Sequence, residues 1–293
     1  KKAQALAALC PSAAAVCTLD EALADSAVTA VDICAPGFQH HALAMRAFAA
    51  GRHVLCEKPV AANVAEAEAM IASAQAAGVR FMVAHVLRFW PEYVAAANAL
   101  AAGRIGRLRR VSCLRLSETP AWSSRGWMVQ AQQGGGAVRD LAVHDFDFLR
   151  WVAGMPTGVS AAGDAMHVQA VYQFADDVSA SVEASYAMPA GFPFRMGFRL
   201  TGTDGALEFD SGTGGVRLYS SRGGMETIRA AGDTIVQGET AAVASAYVSE
   251  IRHFLDCVRS GRDSERLRAT DARDALAISL MTEAALSCGM TSA

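Results

Sequence analysis

Two stretches of this chain hold residues that do acid–base chemistry. The first is His53-Val54-Leu55-Cys56-Glu57-Lys58-Pro59, where an apolar run delivers a carboxylate and an ammonium side by side. A lysine fixed at such a point can hydrogen-bond a reacting oxygen and stabilise negative charge developing on it. The second runs from Gly134 through Gly135, Gly136 and Asp140 to His144, Asp145 and Asp147. On a helix, Asp140 and His144 share a face. A carboxylate beside an imidazole can orient it and tune it for proton transfer. The preceding glycines let backbone come close to a ligand. Each stretch also has a plainer reading. A Glu-Lys pair at a surface strand end does little, and a helical histidine can be structural. His144, Asp145 and Asp147 are also ligand types for a divalent ion. Asp145 points away from the Asp140–His144 face and no second His/Cys cluster accompanies it, so no metal is assigned.

Regular structure has to position these groups. Val54-Leu55-Cys56 reads as a buried strand, closed by Pro59, which has no N–H to donate to the ladder. Ala30 to Pro36 and Phe81 to Val86 read as further strands, and Val16 to Thr18 as a short one. Helices are expected near Phe38 to Ala50, stopped by Gly51, and from an Asn63 cap to Gly78. Strands alternating with helices indicate a parallel sheet, and ligands of such sheets bind outside the strands' carboxyl ends, where Glu57 and Lys58 fall. After a helix near Pro91 to Ala102 the pattern changes. A strand from Arg107 to Ser117 and one helix within Gly135 to Gly154 precede short alternating strands between Thr157 and Arg229. Turns such as Gly202-Thr203-Asp204-Gly205 separate them, as in an antiparallel sheet. Helices near Ala241 to Ser260 and Asp271 to Cys288 follow. The expected fold class is α/β plus α+β: a parallel-sheet domain over residues 1–87, then residues 88–293 with an open, mainly antiparallel sheet.

Composition narrows the function. The 293 residues are 52% hydrophobic and 19% charged, as in a folded globular protein. With a net charge of −3 and no basic cluster, nucleic acid is not an expected partner. No uninterrupted apolar span of membrane-crossing length occurs, and no membrane partner is expected. The seven cysteines are odd in number, scattered, and form no C-x-x-C pair, which suits a reducing cytoplasm.

Taken together, the motifs resemble those of the glucose–fructose oxidoreductase, inositol dehydrogenase and rhizopine-catabolism (Gfo/Idh/MocA) family of nicotinamide-dependent dehydrogenases. Ala35-Pro36-Gly37-Phe38-Gln39-His40 resembles its T-P-N-x-x-H turn, and Ala49 to Pro59 its A-G-K-H-V-x-x-E-K-P signature. Gly135 to Asp147 resembles G-G-x-x-x-D-x-x-x-H-x-x-D, and Tyr247, Glu250 and Phe254 resemble a Y-x-x-E-x-x-x-F helix. The resemblance implies a Rossmann-type first domain, NAD or NADP as cofactor, and a sugar, inositol or similar polyol as substrate. It implies that Lys58 hydrogen-bonds the reacting hydroxyl, that His144 is the general base, and that Asp140 orients substrate or histidine. Ala35, Pro36, His40, Glu57 and Lys58 are implied on the nicotinamide-ribose side, with Gly37 where the family has asparagine. Arg88 and Trp122, with Trp127, are expected in the substrate cleft; the tryptophans read equally well as core aromatics. A homodimer or homotetramer through an apolar open sheet face is implied as well. Two rivals are a truncated, non-catalytic homologue acting in binding or assembly, and a metal-dependent hydrolase.

One part of the pattern is missing. The family opens with a strand, a G-x-G-x-x-G turn that cradles the pyrophosphate, and a second strand that selects NAD or NADP. The Lys1 helix matches the element after that second strand, about forty residues in. No G-x-G-x-x-G occurs in these 293 residues. The expectation is that they bind NADH poorly. A fluorescence titration should show no saturation at micromolar NADH, and micromolar affinity would refute the expectation.

Overall fold

The computed structural model describes residues 2–8, 17–119, 134–228 and 239–289. Helix α1 (Lys2–Ala8) is followed by α2 (Leu19–Ala24). Thr18 is the N-cap of α2, its hydroxyl accepting from Glu21 N while the Glu21 carboxylate takes the Thr18 N–H. Thr18 is thus a helix cap and not the end of a strand; Val16 lies outside the described residues.

Strands β1 (Ala30–Ile33), β2 (His53–Glu57) and β3 (Phe81–Ala84) form a parallel sheet in that order. A 3₁₀ turn (Gly37–Gln39) with α3 (His40–Ala49), and then α4 (Val64–Ala76), make the crossovers. Asn63 Oδ1 caps α4 by accepting from Glu66 N at 2.9 Å. Val54, Leu55 and Cys56 are all buried because both sheet faces are covered. Val54 and Cys56 pack with Ala44, Phe48 and Met70, while Leu55 packs with Met82, Phe254 and Leu267.

Past a 3₁₀ turn (Val86–Arg88), helix α5 (Pro91–Ala101) leads to the second sheet. Its strands are β4 (Leu108–Glu118), β5 (Gly158–Gly163), β6 (His167–Gln173), β7 (Ser179–Met188), β8 (Arg195–Gly202), β9 (Gly205–Asp210), β10 (Val216–Ser220) and β11 (Met225–Ile228). The order is β11-β10-β9-β8-β4-β7-β6-β5. All neighbours are antiparallel except β4 and β7, which run parallel. One face is sealed by aromatics: Tyr93 of α5 meets Phe148 edge-on at 4.8 Å and Phe198 at 4.9 Å between ring centroids. Phe148 belongs to α6 (Val143–Ala153). The other face is open and shallow, lined by Ser112, Leu114, Gln169, Val171, Ser181 and Glu183. It mixes apolar side chains such as Leu114 and Val171 with polar ones such as Ser112, Gln169 and Glu183.

Helices α7 (Glu239–Ser260) and α8 (Ala269–Gly289) do not stay with the second sheet. Phe254 of α7 covers β2 and β3, and α8 gives Ala272 and Leu276 to the first core and Ile278 to the second. No described helix is long and apolar enough to cross a membrane.

A buried ion pair ties the chain leaving β3 to α6. Arg88, just after β3, holds Asp147 of α6 through Nε to Oδ2 at 2.8 Å and Nη2 to Oδ1 at 2.9 Å. Its guanidinium lies 4.8 Å from the Trp151 ring centre. Truncating one partner of such a pair strands a buried charge. Arg88→Met should therefore lower unfolding free energy by about 3–5 kcal/mol in urea titrations, and Arg88→Met with Asp147→Leu should recover most of it.

Candidate active site

The carboxyl ends of β1 and β2 open on a cleft of about 450 Å³ whose opposite wall comes from the second sheet and α6. Ala35, Glu57 and Lys58 line it from one side; Arg115, Asp140, His144 and Tyr186 line it from the other. Trp90 and Phe194 add apolar wall, and Tyr247 reaches in from α7.

Lys58 spans the cleft. Its Nζ donates to Asp140 Oδ1 at 2.7 Å and to the Asp140 carbonyl oxygen at 2.8 Å. Asp140 Oδ2 accepts the Tyr186 hydroxyl. Asp140 thus grips lysine and tyrosine and makes no hydrogen bond to His144, so its expected role of orienting the histidine is not met. The reason is local. Residues Ala137–Leu141 form a single π turn, with Ala142 N donating to Ala137 O at 2.8 Å, and α6 starts only afterwards. The wider turn breaks the helical phase that would have put Asp140 and His144 on one face.

The glycine run makes this turn possible, though not by approaching a ligand. Gly136 has φ +58°, and a Cβ there would lie 2.1 Å from the Ala165 carbonyl oxygen. Ala137 N donates to that same oxygen at 2.8 Å. The close approach is to the β5–β6 hairpin, which fixes the Asp140 turn to the second sheet.

His144 Nδ1 is buried without a hydrogen-bond partner. Burial, with the Lys58 and Arg115 charges adding to it, holds its pKa well below the ordinary 6.5. The imidazole is neutral at neutral pH, the form a general base requires. Glu57 accepts from Lys58 N at 3.1 Å, and burial raises its pKa.

His40 does not face the cleft. Its Nδ1 and Nε2 lie 2.7 and 2.8 Å from the carbonyl oxygens of Pro59 and Ala35. Burial lowers its pKa while the two carbonyls favour the cation and recover part of the shift. It ties the loops after β1 and β2 together, holding Ala35 and Lys58 in register. Pro36 starts the 3₁₀ turn beside it, and a Cβ on Gly37 would sit 3.4 Å from the Pro59 ring. Arg88, expected in the cleft, is instead spent on Asp147. Trp122 and Trp127 lie outside the described residues. Asp145 and Asp147 are each committed to an arginine, and no group of metal-ligating residues forms among the described residues.

Two polar cleft residues, Arg115 and Tyr186, are not singled out by the sequence, nor is the apolar wall of Trp90 and Phe194. Tyr186 gave no signal beyond being an inward residue of β7. Arg115 did give one: it falls on the buried phase of β4, in step with Val111 and Cys113, where a charge is out of place.

For a dinucleotide, the residues present fit the nicotinamide-ribose end. Parallel strands converge on a cleft holding an ammonium and an unpartnered neutral imidazole, with Ala35 and Glu57 at its rim. A small parallel sheet presenting its carboxyl ends to a wall built by a second, mixed sheet is a Rossmann-type arrangement. The chain belongs to the Gfo/Idh/MocA family: residues 1–85 match its profile described as an oxidoreductase family, NAD-binding Rossmann fold, and residues 93–208 match its C-terminal domain.

Similar proteins include a 1,5-anhydro-D-fructose reductase of Ensifer adhaerens, 36% identical over 138 residues, 47% of this chain and 41% of that protein. An inositol 2-dehydrogenase of Rhizobium meliloti is 27% identical over 282 residues, 92% of this chain and 81% of that protein. The chain therefore spans about two fifths of the first relative and four fifths of the second. A solved levoglucosan dehydrogenase in complex with NADH and levoglucosan superposes with a TM-score of 0.82 at 21% identity, over 93% of this chain and 82% of that one. At that identity the likeness is one of fold.

Glu250 of α7 is buried close to this site, with Oε1 unpartnered and its pKa pushed up to about 9, chiefly by burial and then by Glu57. It is protonated in the folded state at neutral pH and ionised in the unfolded chain above its ordinary 4.5. Stability held below that value is lost as pH rises toward 9. Glu250→Gln removes this dependence. The variant's stability advantage over wild type should grow between pH 5 and pH 9 in urea titrations, and a constant difference would refute the assignment.

Proposed function

We propose that the site on this chain serves hydride transfer between NAD or NADP and a secondary alcohol of a sugar, inositol or similar polyol in the intact protein. The observation that carries this reading is the Lys58 ammonium set against Asp140 in the same cleft as the neutral, unpartnered His144. When bound, the nicotinamide supplies the hydride acceptor or donor. Lys58 hydrogen-bonds the alcohol oxygen and stabilises the charge that builds on it as the O–H bond breaks. The imidazole of His144 takes the hydroxyl proton, and returns it in the reverse direction. Asp140 keeps Lys58 aimed into the cleft, and Tyr186 keeps Asp140 in that rotamer. The apolar wall of Leu87, Trp90 and Phe194 excludes water from the reacting carbon.

The rivals have less behind them. A non-catalytic homologue has no use for a lysine–aspartate–tyrosine chain beside a desolvated imidazole. A metal-dependent hydrolase needs Asp145 and Asp147, which arginines occupy. A homodimer or homotetramer is proposed on family resemblance, with Leu114 and Val171 on the open face among its apolar residues; gel filtration decides it. A cytoplasmic setting fits the described cysteines, none of which is joined in a disulfide.

Lys58→Ala should lower turnover by at least about a hundredfold while leaving the fold intact. Near-normal turnover of a polyol by that variant would remove the lysine from the mechanism.

A further inference from the structure

Arg115 has no part in the mechanism above, yet it lines the cleft and is only 3% exposed. Two of its nitrogens are committed: Nε donates to Asp145 Oδ2 at 2.7 Å and Nη2 to Asp145 Oδ1 at 3.0 Å. Nη2 also lies 3.4 Å from the Tyr93 hydroxyl. The third, Nη1, has one partner, the thioether sulfur of Met196 at 3.4 Å. A thioether is a weak acceptor, so a buried, charged donor with two N–H groups is left nearly unsatisfied beside the reacting groups. Such a donor is costly unless something else takes its hydrogens.

The charges in the cleft say what that acceptor is. Lys58 is balanced by Asp140 and Arg115 by Asp145, each through a direct ion pair. His144 is neutral, and no other cation lines the cleft among the described residues. A carboxylate or phosphate on the ligand would meet no uncompensated positive charge and would have to be desolvated against Asp140 and Asp145. A hydroxyl can accept from Nη1 without that cost.

We propose that Arg115 is a substrate-binding residue whose Nη1 donates to a hydroxyl of an uncharged polyol, at a carbon other than the one oxidised. The assignment rests on the polyol reading above and sharpens it. It selects against acidic and phosphorylated sugars, and it adds a fixed donor that sets which hydroxyl faces Lys58 and His144.

Removing Arg115 would strand Asp145, so the test gives Nη1 a competing acceptor. Met196→Gln puts an amide oxygen where the sulfur lies; Met196→Leu alters shape and offers none. Both leave the Arg115–Asp145 pair in place. Binding of myo-inositol, D-glucose and D-gluconate to the full chain is read from tryptophan fluorescence, Trp90 being in the cleft wall. The neutral polyol that binds wild type should bind the Gln variant about tenfold more weakly than the Leu variant, one hydrogen bond to a charged donor. D-Gluconate should bind wild type no more tightly than D-glucose. Equal affinities in the two variants, or a tenfold preference for gluconate, overturn the assignment alone. Wild-type protein that binds neither neutral polyol overturns the polyol reading, and this assignment with it.

Discussion

Helix α6 is held by the carboxylates it sends into the protein, and the cleft depends on that grip. Asp145 goes to Arg115 on β4, and Asp147 goes to Arg88 at the exit of β3. Residues two apart on a helix point to nearly opposite sides, so the arginines clamp α6 from two sides, with His144 beside them. Arg150 adds a third tie at the far end, donating to Asp274 of α8 at 2.7 Å. Pairs this deeply buried yield little net stability because each charge gives up its hydration. What they do is fix geometry: a displaced α6 would leave two guanidinium groups and two carboxylates without partners.

Beside this clamp the cleft runs on suppressed charge. His144 is kept neutral, Glu250 protonated, and Glu57 shifted upward, all mainly by desolvation. The ionised groups that remain are paired across the cleft, Lys58 with Asp140. What enters the cleft therefore meets an ammonium held by Asp140, a guanidinium held by Asp145 and one neutral imidazole.

Much of this was legible in the chain because it rested on short-range rules. The Val54-Leu55-Cys56 run, the Asn63 cap and the turn at Gly202 to Gly205 each follow from neighbours in sequence, and strands and helices landed within a few residues. The cleft triad of Lys58, Asp140 and His144 could be named from motif and spacing. Its wiring could not. A π turn is invisible to a rule that counts by fours, so Asp140, expected to orient substrate or histidine from the face of His144, is found on Lys58 and Tyr186. Arg88 was expected on substrate because an arginine after a strand gives no hint of an aspartate waiting 59 residues further on. The glycines before Asp140 were read as room for a ligand and prove to be room for the Ala165 carbonyl. In each case a partner distant in sequence decided the outcome. The parallel pairing of β4 with β7 escaped notice for the same reason.

The placement of α8 bears on how the protein is made. Ala272 and Leu276 complete the apolar interior around β1–β3, although they are synthesised after every strand of both sheets. On the ribosome, the first sheet emerges early and then waits, with part of its interior open, while the whole of the second sheet is produced. Contacts of such long sequence separation form late because their loops are entropically costly to close. The amino-terminal half is thus a unit that cannot finish folding in the order in which it is born, and during elongation its unfinished surface is what a chaperone would meet.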